Sequence, residues 1–197
     1  MIATAGRDAR EPHTTPISAP APDAALVAWV RQESPGRCAV LGAGDGGNSI
    51  WLARHGWRVT TVDSSSPAFA RIRDAVVRER LPMATITDEL THFLEQGHTF
   101  DLVVITNPEG DFEARRALVT LAASTVGLGG HLFVTSRNHS TRGVGDQLDP
   151  RSLVDNVAGL LVHQQDQRTR THDDEMTGIE VMLWATRIER PHDDNQF

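Results

Sequence analysis

Four short stretches carry residue types and spacings that could do chemistry. The first is "LGAGDGGN" (41–48), a glycine loop with two overlapping readings. Gly42, Gly44 and Gly47 fit G-x-G-x-x-G, the dinucleotide fingerprint, in which helix N–H groups meet a pyrophosphate. Gly42, Gly44 and Gly46 fit G-x-G-x-G, the spacing at which bare loop backbone packs against S-adenosylmethionine (SAM). Both need the chain to turn sharply and approach a ligand more closely than a Cβ would allow. The second stretch begins at Asp63, roughly 20 residues past the loop, where a carboxylate can accept one ribose hydroxyl on each oxygen. The competing view has Asp63 capping the turn "SSSP" that follows it; combined with the glycine loop, the ribose contact is the reading taken. Asp88 closes the next strand-like run. There a carboxylate or the adjacent backbone could meet an adenine amino group, or the side chain could cap a helix. Ala43, Asn48, Ser64, Glu89 and Thr106 flank these positions and complete the candidate cofactor contacts.

The third stretch, "TNPEGD" (106–111), could serve the reacting group. A backbone carbonyl and the Asn107 oxygen could orient an amine, and Glu109 in a dry cleft would be a general base. The alternative is a plain turn with Glu109 solvated at its corner. The fourth, "SRNHS" (136–140), offers His139 as a second base and Arg137 as a partner for an anionic group on a substrate. A solvated loop histidine is the competing view of His139. "THDDE" (171–175) holds metal-type ligands, but it falls in a turn between two strand-like runs, so a solvated turn and no metal are expected. Cys38 begins a buried run and is expected in the core.

The elements needed to position these groups can be read from periodicity. After a Pro-rich leader (1–22), "PDAALVAWVRQES" (22–34) has a cap at Asp23 and apolar Leu26, Val27 and Val30 on one face, which predicts a short helix. Strand-like runs follow at 37–42, 57–63, 83–87, 100–106 and 131–137. Helical patterns lie between them at 48–56, 66–80, 88–97 and 111–126. In the first of these Ile50, Leu52 and Ala53 face inward and Gly56 is the stop. In the second Ser66 is the cap, Pro67 lies in the first turn, and Phe69, Ile72, Val76 and Val77 form the apolar stripe. "GLGG" (127–130) reads as a turn. Such alternation implies right-handed crossovers and a parallel sheet covered on both faces. After a short helix at 150–159, the runs 160–170 and 178–188 are too close for a crossover and should pair antiparallel. One domain over 23–190 and a tail at 191–197 are expected.

Composition closes several functional classes. The 197 residues include no Tyr, and every basic residue apart from the histidines is Arg. Schiff-base chemistry therefore lacks its amine, a P-loop lacks its Lys, and the Tyr–Lys pair of short-chain dehydrogenases is missing. A net charge of −7 lacks the basic footprint of a nucleic-acid binder, so no nucleic-acid partner is expected. A single Cys fits a reducing compartment, and no run could span a bilayer. A cytoplasmic protein without membrane contacts is the expectation. Oligomeric state is not readable.

The stretch "AVLGAGDGGNSIWLARHGWRVTTVDSS" resembles class I SAM-dependent methyltransferases, in particular the small tellurite-resistance-type group. Those proteins typically show an acid, then G-C-G-x-G-R-N, a W-L-A helix and G-W-x-V-x-x-V-D. The resemblance continues through "FDLVV", "RRALV", "GGHLFV", "GVG…DP" and the final hairpin, covering roughly residues 22–190. It implies a Rossmann-like α/β fold, with a mostly parallel seven-stranded sheet ending in an antiparallel hairpin and helices on both faces. It also implies SAM as cofactor, with Gly42, Gly44, Gly46, Asp63 and Asp88 in contact with it. The activity implied is methyl transfer to a small molecule with an O, N or S nucleophile, in a biosynthetic or detoxification pathway. Non-methylating chemistry such as cyclisation, or a non-catalytic SAM-binding partner, are the alternatives. Three departures stand out: Val40 where the group has an acid, Gly47 where it has Arg, and "TNPEGD" where it shows an aromatic and a His. Asn107-Pro108 resembles part of the Asn/Asp-Pro-Pro-aromatic motif of amine methyltransferases.

Overall fold

The computed structural model describes residues 20–65, 69–138, 159–171 and 177–188. Seven strands form one sheet: β1 (Arg37–Leu41), β2 (Arg58–Asp63), β3 (Met83–Thr87), β4 (Phe100–Thr106), β5 (Val126–Asn138), β6 (Leu160–Thr171) and β7 (Thr177–Arg187). Five helices accompany them: α1 (Ala24–Val30), α2 (Gly47–Arg54), α3 (Phe69–Glu79), α4 (Leu90–Glu95) and α5 (Phe112–Ser124). The strand order is β3-β2-β1-β4-β5-β7-β6. The pairs from β3 through β5 are parallel, whereas β7 runs antiparallel to both β5 and β6. The expected doubly wound sheet with a terminal hairpin is what the chain builds.

The middles of the central strands β1 and β4 are apolar on successive residues because both of their faces are covered. Along β1, Cys38 and Val40 join Leu26, Val30 and Leu52 of α1 and α2, while Ala39 and Leu41 join Phe93, Leu94, Val119 and Ala122 of α4 and α5. Leu102 and Val104 of β4 face the first group, Val103 and Ile105 the second. Ile50, Phe69, Ile72 and Ala75 knit α2 to α3. Two local devices fix α2 and α1. Helix α2 ends in a Schellman turn: Gly56 N–H reaches Ala53 O (3.2 Å) and Trp57 N–H reaches Leu52 O (3.2 Å), with Gly56 at φ +89°. At the start of α1, the Asp23 carboxylate accepts the Ala25 N–H (2.8 Å) and the Leu26 N–H (3.3 Å). Trp29 then packs α1 onto Phe133 (5.4 Å) and Trp184 (5.3 Å between ring centroids).

Two sequence expectations change. "GLGG" is not a turn outside the sheet. Strand β5 already starts at Val126 opposite Phe100, and the ladder slips over the glycines before His131 pairs with Leu102. Val77 is 79% exposed and lies off the stripe of α3, and the small Ala75 takes the buried place instead. The cap expected at Ser66, Pro67, the helix at 150–158, His139, the turn at 172–176 and the segments 1–19 and 189–197 lie outside the described residues.

Candidate functional site

Strand order reverses at β1, whose chain continues to β2 on one side while β4 lies on the other. In open α/β sheets the crevice at the carboxyl ends of the strands at this point is where ligands sit. The glycine loop emerges there. Gly42, Gly44 and Gly46 all have left-handed backbones (φ +87°, +51° and +87°), a conformation that side chains disfavour. A Cβ on Gly44 would meet nothing within 4 Å, so this part of the loop presents open backbone. A Cβ on Gly46 would press on Ile72 Cγ1 at 2.7 Å, so Gly46 also lets α2 and α3 pack together.

Asp63, at the end of β2, fastens the loop. Its Oδ2 accepts the Ala43 N–H at 2.7 Å, and its Oδ1 accepts the Ser65 N–H at 2.7 Å. Gly42 N–H donates to Val62 O (2.8 Å) alongside. Each carboxylate oxygen has two acceptor sites, so one on each remains for a ligand hydroxyl. The open backbone of Gly44 and this half-used carboxylate fit an adenosyl cofactor. Ser64 lies next to Asp63, exposed. Asn48 is turned another way: its Oδ1 accepts the Asp23 N–H at 2.8 Å, tying α2 to the start of α1.

Asp88 follows β3, and its N–H donates to Asp63 O (3.2 Å), so its backbone lies beside the loop's anchor. Its carboxylate serves its own helix, accepting the Glu89 N–H (2.8 Å) and pairing with His92 Nδ1 (2.9 Å). The Asp88 hydrogen bond and charge raise the His92 pKa above its ordinary value. The N-cap position of α4 itself falls to Glu89 rather than to Asp88. Glu89 sits exposed at the N-cap of α4 without a side-chain capping bond.

At the end of β4, Thr106 is half-buried and its carbonyl faces Gly42, 3.8 Å from where a Cβ would stand. Asn107 has a left-handed backbone (φ +51°), and its N–H donates to Thr135 O of β5 (2.7 Å). Asn tolerates this conformation better than most residues. It turns the chain out of the sheet, and Asn107 is exposed there. Pro108 is buried, and Glu109 is exposed before Gly110 (φ +101°). Glu109 is thus exposed among the described residues, on the turn that leaves β4. Arg137 pairs with Glu180 in the β5–β7 ladder, beyond Thr135.

The structure thus brings the loop, Asp63, Asp88 and the Thr106–Glu109 turn to one edge of the sheet. Val40 is buried among Leu26, Val30, Leu52 and Val104, so the position where the resembling group has an acid is core in this chain. Sequence reasoning missed the segment before α1. A Cβ on Gly47 would stand 2.7 Å from Ala21 O and 3.1 Å from Pro20 O, so residues 20–21 cross directly over the first residue of α2. The available signal was Gly47 itself, a small residue where the resembling proteins carry a large one. Among the described residues, no cluster of His, Cys, Asp or Glu could hold a metal. No helix among them is long and apolar enough to cross a membrane.

Residues 39–129 match the family model described as "Methyltransferase domain". The chain is 33% identical over 107 residues to ribosomal RNA small subunit methyltransferase C of Alcanivorax borkumensis. That match takes in 52% of this chain and only 32% of the relative, so the chain spans about a third of its length. Among solved structures, TehB from Haemophilus influenzae superposes with a TM-score of 0.71 at 15% identity, over 83% of this chain and 61% of that one. The N-methyltransferase NodS from Bradyrhizobium japonicum, in complex with S-adenosyl-L-homocysteine (SAH), superposes with a TM-score of 0.64 at 20% identity, over 81% of this chain and 82% of that one. At these identities the structural likeness establishes the fold.

Proposed function

We propose that this chain, built around a SAM-dependent methyltransferase domain of class I fold at residues 39–129, methylates an O, N or S nucleophile of a small molecule. The pathway we infer is biosynthetic or detoxifying. The observation that carries the cofactor half is the loop itself: three left-handed glycines, open at Gly44 and held by the Asp63 carboxylate at the switch point of the sheet. The small-molecule half is supported by the acidic balance of the chain, since a net charge of −7 opposes the phosphate contacts that an RNA substrate requires.

SAM, when bound, supplies a methyl group on a sulfonium whose leaving group is already activated. The chain then has to orient the nucleophile and, where needed, take its proton. The loop backbone and the free acceptor sites of Asp63 hold the adenosyl end, with the Asp88 and Glu89 backbone alongside. The Asn107 amide oxygen and the Thr106 carbonyl orient the nucleophile, Glu109 or His139 takes its proton, and Arg137 receives an anionic group of the substrate.

Titration calorimetry with SAM, SAH and NADH tests the cofactor, and methyl-labelled SAM with a panel of small amines, thiols, phenols and carboxylates tests the reaction. SAH binding and labelled product are expected. NADH binding without SAM or SAH binding would overturn the proposal. Label appearing only in ribosomal RNA would overturn the substrate class, and unlabelled product would point to non-methylating chemistry on the same fold.

A further inference from the structure

The crossing of residues 20–23 over α2 ties a residue with no assigned role to the cofactor site. Gly47 is buried and its backbone has no left-handed φ, so conformational freedom does not explain a glycine there. Space does. The atoms that a Cβ would meet are Ala21 O at 2.7 Å, Ala21 C at 3.1 Å and Pro20 O at 3.1 Å, all backbone, so relief requires the chain itself to move rather than the tip of a side chain. The next residue holds the same segment by a hydrogen bond, Asp23 N–H to Asn48 Oδ1 at 2.8 Å. Beyond it, Asp23 starts α1, and α1 is locked to the sheet by Leu26, Val30 and Trp29. Two consecutive residues directly after the glycine loop therefore clamp a chain segment that is anchored on its far side.

We propose that Gly47 is a positioning residue: its missing side chain, together with the Asn48 amide, seats Pro20–Asp23 as a wall beside the glycine loop, and this wall sets the cofactor's fit. The proposal rests on the SAM-binding reading above. A β-carbon at position 47 must push the wall outward or shift the start of α2, and α2 is held by the loop and by Ile72. The wall therefore yields first. A displacement on the order of an ångström beside a bound ligand is enough to change affinity severalfold or more.

The test compares wild type with Gly47→Ala, Gly47→Arg, Asn48→Ala and Asn48→Asp. Amide hydrogen exchange at residues 21–27 reads the clamp without any cofactor. SAH titration and, with a substrate found, the KM for SAM against kcat read the positioning. Both Gly47 variants and Asn48→Ala should exchange faster at 21–27, with β1 and β4 unchanged. SAH binding should weaken by about tenfold or more in Gly47→Arg, with KM rising and kcat nearly kept. Asn48→Asp keeps an acceptor for the Asp23 N–H and should restore slow exchange at 21–27. Unchanged exchange at 21–27 in Gly47→Arg would overturn the clamp. Faster exchange with SAH affinity within twofold of wild type would overturn the positioning role. Should Gly47→Arg fail to fold, Gly47→Ala and Asn48→Ala decide by the same two readouts. Wild type that binds no SAH would refute the cofactor reading itself, while hydrogen exchange still judges the clamp.

Discussion

Replacing Asp63 by Asn tests whether this carboxylate holds the loop as well as the ligand. The carboxylate receives two backbone donors, Ala43 N–H on one oxygen and Ser65 N–H on the other, each at 2.7 Å. An amide keeps one acceptor oxygen and turns its NH2 toward the second donor, so whichever way it flips one bond is lost and two donors face each other. A hydrogen bond to a charged group is worth about 1.5–3 kcal/mol, and the half-buried setting lets water reach the freed N–H, which favours the lower end. Asp63→Asn should therefore cost about 1.5 kcal/mol, roughly a tenfold change in the unfolding constant. Asp63→Ala loses both bonds and should cost about 3 kcal/mol. Urea unfolding followed by tryptophan fluorescence measures this, with an unchanged slope showing that only stability moved. SAH affinity should fall in the same order, by about tenfold or more for Asn, because one ribose hydroxyl loses its acceptor and the other keeps only a neutral one. Equal destabilisation by Asn and Ala, or SAH affinity within twofold of wild type in Asp63→Asn, would refute the two-oxygen account.

Three further outcomes follow from the same geometry. Burial, and after it the Asp101 charge, push the Cys38 thiol well above the ordinary thiol range, so native protein should not react with a disulfide reagent until it unfolds; prompt stoichiometric labelling would contradict the packing. Val40→Asp should destabilise by about 3–5 kcal/mol, because it leaves an unpaired charge among Leu26, Val30 and Leu52. A cost under about 1 kcal/mol in urea unfolding would instead mean that position 40 opens to the cofactor. The His92 ring should titrate by NMR above 6.5, and Asp88→Asn should bring it back toward that value. Because its folded pKa is raised, the His92–Asp88 contribution is fully present below the unfolded pKa and lost as pH rises through the folded one. His92 is solvent-exposed, so the pair should barely move the unfolding midpoint.

Much of the fold was legible because its signals are local. The strand-like runs at Met83–Thr87 and Phe100–Thr106 match their strands residue for residue. The short connection between the last two runs left antiparallel pairing as the available topology, and that is how β6 and β7 pair. The misreadings share a cause. At "GLGG" the local glycine signal says turn, but hydrogen bonding to β4 resumes on either side and keeps the glycines within the strand span. Val77 satisfies helical spacing on paper, yet α3 rotates to place Phe69, Ile72 and Ala75 inward because Gly46 offers room for Ile72.

The site was legible by residue type and not by partner. An acid at the end of β2 was expected to meet a ligand, and it does stand at the right edge, but two of its acceptor sites already belong to backbone N–H groups. Asp88 likewise was read with two roles, and its carboxylate bonds to His92, one helical turn on. Asn48 lies within the glycine motif and yet bonds a residue 25 positions earlier. For Asp63 and Asn48 the partner is a backbone N–H, and no periodicity encodes it. What the sequence did carry was a mark of the missing partner: a glycine at 47 that no turn requires. A small residue without a conformational reason implies that something else occupies the space, and in this chain that something is the backbone of Pro20 and Ala21.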